Sequence, residues 1–146
     1  MVSTRTLRPV RTLVALVTAA LAFPAAAGAN ELLFFKTPSR NVACLKGTVH
    51  QRAYLRCDIL SGLRPRPARP RGCNLDWGFG YSLNATGRAV VTCAGDSTNE
   101  PGARIIPYGA TWKLGPFRCA SRQTGLRCTN SSRHGFFLSR ARSYRF

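Results

Sequence analysis

From residue 32 onward the apolar residues come in short bursts, each closed by turn chemistry. The repeat is about ten residues, the spacing of an all-β sandwich or barrel. The bursts at 32–37 (LLFFKT), 42–45 (VACL), 54–59 (YLRCDI), 88–93 (RAVVTC), 104–108 (RIIPY), 111–114 (TWKL), 117–120 (FRCA), 125–129 (GLRCT) and 135–139 (GFFLS) read as strands, that at 88–93 as a buried one. No long stretch carries a 3.6-residue period, so any helix is expected to be short. Asp96 to Gly102 strings together Asp, Ser, Asn, Pro and Gly, the residues of turns. Residues 76–83 (DWGFGYSL) are aromatic and punctuated by glycine. Residues 62–72 (GLRPRPARPRG) alternate three prolines with four arginines. Proline cannot donate to a sheet ladder, so an extended, polyproline-like loop is expected there. The expected fold is all-β: a small, disulfide-stapled sandwich or barrel of short antiparallel strands.

The first 29 residues follow another pattern. Residues 1–11 hold Arg5, Arg8 and Arg11 and no acid, residues 12–23 (TLVALVTAALAF) are apolar, and Pro24 and Ala27-Gly28-Ala29 follow. This is the order of a signal peptide: charged region, apolar region, small-residue cleavage site. The apolar run is well short of the roughly 20 residues that span a bilayer. The expected organisation is a signal peptide at 1–29 and a single secreted domain at 30–146, with no transmembrane segment in the mature chain. The expected location is extracellular or in the cell envelope.

All six cysteines (Cys44, Cys57, Cys73, Cys93, Cys119 and Cys128) follow the leader. An even count in an exported chain predicts three disulfides. Zinc sites usually show pairs spaced C-x₂₋₄-C, whereas the gaps here hold 12, 15, 19, 25 and 8 residues. No metal or cofactor is therefore expected. Six cysteines allow 15 connectivities. Neighbour pairing is preferred, because the gaps of 12 and 8 residues suit hairpins with cross-linked arms. At about 2–4 kcal/mol for each bridge, reduction by thiol is expected to unfold the domain, which near-ultraviolet circular dichroism would register.

The chain carries 22 Lys and Arg against 5 Asp and Glu, a net charge of +17. Cleavage after Ala29 removes three arginines and leaves 19 basic and 5 acidic residues, or +14. Such a domain attracts polyanions, with a steep salt dependence. Arg64, Arg66, Arg69 and Arg71 in the proline loop are the first candidates for anion contact. The partners this charge points to are an anionic envelope polymer, nucleic acid or an acidic protein, met by a monomer.

A short internal echo is present: Leu55-Arg56-Cys57 recurs as Leu126-Arg127-Cys128, followed by Asp58 and Thr129. The chain also carries an ordered pattern: F-x-T-P-S-x-N-V-A-C (35–44), R-C-D-I (56–59), C-x-L-D-W-G-x-G (73–80), C-A-G-D (93–96), P-Y-G (107–109), F-x-C (117–119), G-x-x-C-T-N (125–130) and H-G-F-x-L-S-R (134–140). Over about residues 34–146 it resembles a family of small secreted actinobacterial proteins known as a domain of unknown function. The resemblance implies three cysteine pairs and supplies no catalytic residue. The chain departs from the family at Arg40 and Arg133, where a small residue such as Gly is expected, and in its arginine-rich 64–71 loop.

Candidates for catalysis are few. His134 with Asp96 or Asp76 is the weak acid–base set, and Ser139, His134 and Asp96 would write a triad. His134 with Glu100 or His50 would serve a ribonuclease. No G-x-S-x-G elbow is present. The competing role for the three aspartates is to accept backbone N–H bonds in turns. Trp77, Phe79, Tyr81, Trp112, Phe136 and Phe137 form either core or a binding platform, and core is the commoner role. Asn84-Ala-Thr and Asn130-Ser-Ser match a glycosylation sequon but read as turns. The expected function is a non-enzymatic binding domain with affinity for anionic partners. The alternatives are a small secreted hydrolase of nucleic acid or cell-wall material using His134 and a carboxylate, and a secreted enzyme inhibitor.

Overall fold

A computed structural model of the chain describes Met1 and residues 32–146, so the expected leader lies, Met1 apart, outside the described residues. Eleven strands follow in order: β1 (Leu33–Lys36), β2 (Val42–Val49), β3 (Arg52–Ile59), β4 (Asp76–Asn84), β5 (Val90–Ala94), β6 (Arg104–Ile105), β7 (Thr111–Leu114), β8 (Phe117–Arg122), β9 (Gly125–Thr129), β10 (Gly135–Leu138) and β11 (Ser143–Arg145). They form a six-stranded sheet in the order β5-β4-β3-β2-β1-β6 and a five-stranded sheet in the order β11-β10-β9-β8-β7. All pairings are antiparallel except β1 with β6. Neither sheet closes on itself, so the architecture is a sandwich and not a barrel. No helix occurs among the described residues.

Strand alternation builds the core. Leu55, Cys57 and Ile59 of β3 point inward, as do Phe117 and Cys119 of β8, Leu126 and Cys128 of β9, and Phe136 and Leu138 of β10. Rings close the seam between the sheets: Tyr81 packs on Phe136 at 5.7 Å and Phe35 on Trp112 at 5.9 Å. Burying each such side chain contributes about 1.5–3 kcal/mol.

The three disulfides join sequence neighbours: Cys44–Cys57, Cys73–Cys93 and Cys119–Cys128. Cys44 lies directly opposite Cys57 across β2–β3, and Cys119 opposite Cys128 across β8–β9. Each hairpin is thus stapled on its buried face. The third bridge ties the end of the proline loop to β5. All six sulfurs are engaged, and three disulfides fit an oxidising environment.

Three strands depart from the sequence expectation. β5, expected to be buried, is an edge strand whose Val90 is 55% exposed, because its outer side has no neighbouring strand. Residues 76–84 form the central strand β4, whose glycines serve it. The register with β5 shifts between Trp77 and Tyr81, where Gly78 takes a φ of +81°. Gly80 lies against the Cys57 carbonyl and the Asp58 side chain, in space that a Cβ would occupy. β11 is polar in sequence because it is an edge strand. Arg40 and Arg133, the two departures from the family pattern, sit in turns with φ of 57° and 64°. That left-handed region favours glycine.

Candidate functional site

The outer face of the first sheet is a polar cluster that satisfies itself. Arg56, 8% exposed, points out of β3 and donates from Nε and Nη2 to the two Asp58 oxygens at 3.0 and 2.8 Å. Its Nη1 reaches Asp96 Oδ1 at 2.6 Å, and its Nη2 the Asp96 carbonyl at 2.7 Å. Thr98 completes the cluster: its N–H donates to Asp58 Oδ2 at 3.2 Å, and its hydroxyl donates to the Ala43 carbonyl at 2.7 Å with Asp58 Oδ2 at 3.2 Å as the second acceptor of the same proton. The 95–99 turn is thereby clamped over the sheet. The hydrogen-bonded Arg56 guanidinium holds the Asp96 carboxyl below the ordinary carboxylate range. Burial by itself lowers the Arg56 pKa, but the bonds to Asp58 and Asp96 outweigh it and the net direction is upward. Next to this cluster runs a hydroxyl chain, Tyr54 to Ser82 to Thr92, at 2.8 Å for each step.

Asp76 and Asp96 therefore come together, lining with Arg56 and Asp58 a cavity of about 200 Å³. His134 is elsewhere. It follows the β9–β10 turn, whose Asn130 bonds the Asn84 and Gly87 carbonyls at 3.0 and 2.8 Å. Asp76 and Asn84 are the two ends of β4, roughly 25 Å apart at strand rise, so His134 and Asp76 occupy opposite ends of the sandwich. No carboxylate of the described residues lies within 4.0 Å of His134. No described group of three or more His, Cys, Asp or Glu is arranged to hold a metal ion.

The proline loop is a strap over β4. Trp77 Nε1 donates to the Pro67 and Ala68 carbonyls at 3.0 and 3.1 Å. Arg66 Nη2 donates to the Trp77 carbonyl at 2.9 Å, with its guanidinium 4.7 Å from the centre of the Phe79 ring. Arg69 Nη1 bonds the Cys73 and Leu75 carbonyls. Two of the four loop arginines, Arg66 and Arg69, thus hold backbone, although all four are exposed.

The outer face of the second sheet is unlike either. Residues 101–146 contain nine Lys and Arg and no Asp or Glu, whereas residues 30–100 contain ten and five. Lys113 of β7 lies directly opposite Arg118 of β8, a like-charge juxtaposition that destabilises a sheet. Arg127 of β9 lies opposite Ala120, which places it diagonally between Arg118 and Arg122. Arg122 donates to the Ala110 and Ser121 carbonyls at 3.1 and 2.8 Å. Lys113, Arg118 and Arg127 make no ion pair among the described residues. Continuing across the sheet, Phe137 faces Arg127, and Tyr144 faces Phe137. Phe137 and Tyr144 stack at 5.3 Å, and the Arg127 guanidinium covers Phe146 at 4.1 Å. Where the 37–41, 122–125 and 139–142 turns meet, a groove of about 690 Å³ is lined by Arg122, Arg140, Arg142, Tyr108 and Phe137 among others. Of the six aromatics singled out in the sequence, Tyr81 and Phe136 are core, Trp77 and Trp112 are half-buried, Phe79 lies under Arg66, and Phe137 belongs to this outer face. Tyr144, Phe146, Lys113, Arg118 and Arg127 were not singled out; the signal for them is the loss of every acid after Glu100.

No helix of the described residues is long and apolar enough to cross a membrane. No curated protein and no solved structure matches the chain. A family model does match, over residues 15–146, and by it the chain belongs to a family of unknown function, DUF6636.

Proposed function

We propose that this is a secreted, non-enzymatic domain that binds anionic polymers with the outer face of β7–β11. The observation that carries this reading is the charge partition. The last 46 residues hold nine Lys and Arg and no Asp or Glu, and Lys113 and Arg118 sit side by side at a cost that a bound anion removes. Secretion is supported by the leader pattern of residues 1–29 and by the disulfides. The proline loop contributes less, because Arg66 and Arg69 are spent on backbone carbonyls. The residues of the family pattern build the frame, while Lys113, Arg118 and Arg127 lie at positions the pattern leaves open, so the binding role is read for this chain.

The test is elution of the purified mature domain from immobilised heparin by a salt gradient. Retention of the wild type well beyond physiological salt is expected, with earlier elution of the Lys113→Gln/Arg118→Gln/Arg127→Gln variant. Wild type in the flow-through, or a variant eluting with wild type, contradicts the proposal.

A further inference from the structure

Charge alone does not account for the rings beside the basic strip. In register across the second sheet, Arg127 is followed by Phe137 and then Tyr144, with Phe146 under the Arg127 guanidinium. Arg142 flanks both Phe137 and Tyr144, at 5.8 and 5.6 Å from their ring centres. Tyr144 is 40% exposed. β7–β9 thus present cations, and β10–β11 present aromatic rings on the same face. A polymer of sulfates or phosphates alone has no use for the second half. Sheet faces that bind single strands combine these two features: cations follow the backbone while bases stack on rings.

Resting on the polyanion-binding role, we infer that the ligand is single-stranded nucleic acid. Its backbone follows Lys113, Arg118 and Arg127, and its bases lie over Phe137 and Tyr144. The groove with Arg140 and Arg142 seats a further phosphate at the end of the strip. A duplex keeps its bases stacked inside and cannot use the rings.

The experiment is fluorescence anisotropy of the mature domain with a labelled thymidine oligonucleotide, competed by a DNA duplex and by inorganic polyphosphate at equal charge. The oligonucleotide is expected to bind about ten-fold more tightly than either competitor. Tyr144→Ala should lower oligonucleotide affinity by about ten-fold, the loss of one stacked base, and leave polyphosphate affinity unchanged. Should Tyr144→Ala lose the wild-type near-ultraviolet dichroism, Tyr144→Leu, which keeps bulk without a π face, carries the same expectation. Equal affinity for all three polyanions, or an equal loss for oligonucleotide and polyphosphate, overturns the inference while leaving polyanion binding intact. No binding to any of them overturns the proposed function itself.

Discussion

The molecule contains the same triplet twice and uses it in two ways. Leu55-Arg56-Cys57 lies on β3 and Leu126-Arg127-Cys128 on β9. In both, the leucine and the cysteine are 0% exposed in one shared core, and the cysteine is stapled to the residue opposite. Alternation then forces each arginine outward. Arg56 finds Asp58 two residues along on the same face, and Asp96 delivered by a turn above it. Arg127 finds Thr129 at the equivalent position and no carboxylate among the described residues. Backbone geometry sends both guanidiniums to a surface; the local supply of acid decides whether one becomes frame or remains available to a ligand.

The largest test of that contrast is stability. Arg56→Ala removes one partner of a buried ion pair and strands Asp58, which should cost about 3–5 kcal/mol. Arg127→Ala loses an exposed cation–π contact and should cost about 1 kcal/mol or less. Urea unfolding of the two variants reads the difference, and equal losses would break the comparison. Next, Thr129→Asp rebuilds at Arg127 the arrangement of Arg56 and Asp58. Salt titration of oligonucleotide binding should show a slope reduced by about 0.7–1.4, one to two lost phosphate contacts, with the fold retained. An unchanged slope would place Arg127 outside the contact.

Acid separates the sheets more gently. The folded Asp96 pKa lies below its unfolded value. Its contribution is therefore fully present above the ordinary carboxylate range and is lost as pH falls through the lower, folded pKa. Because Asp96 is 80% exposed, the contribution is expected to be about 1 kcal/mol or less. The protection of the Thr98 amide, taken relative to intrinsic exchange at each pH, should fall on that descent, while the amides of β8 and β9, in a half without acids, keep their protection. A matching loss of protection in both sheets would contradict this. Smallest is the backbone effect. Arg40→Gly and Arg133→Gly relieve a left-handed φ and should each stabilise by up to about 1 kcal/mol; a lower melting temperature would show that the arginine side chains hold their turns.

Much of the frame was legible in the sequence, for physical reasons that can be named. Short gaps between cysteines marked hairpins, and cross-strand geometry then fixed the pairs. The bursts at 111–114 and 125–129 became β7 and β9 without change. β4 was obscured because Gly78 and Gly80, which weaken a strand in isolation, here serve a register shift and a close approach to Cys57. The proline loop was placed correctly as irregular chain. Its arginines read as free because their acceptors, the carbonyls of Cys73, Leu75 and Trp77, belong to a strand start that spacing does not reveal. Asp76 and Asp96 were grouped with His134 by residue chemistry alone, and the topology puts them at opposite ends. The stretch after Glu100 is visibly free of acids, but only the strand register brings Lys113, Arg118 and Arg127 to one face, so these residues were not singled out.

The most direct measurement compares two variants in the salt dependence of single-stranded oligonucleotide binding. Lys113→Gln/Arg118→Gln/Arg127→Gln should lower the slope by about 2, three contacts at 0.7 each. Arg64→Gln/Arg66→Gln/Arg69→Gln/Arg71→Gln should change it by no more than about 1.4, two contacts at 0.7 each, since only Arg64 and Arg71 lack a backbone bond from their side chains. A slope that survives loss of the sheet cations and collapses with the loop cations would return the anion site to residues 62–72 and contradict the account.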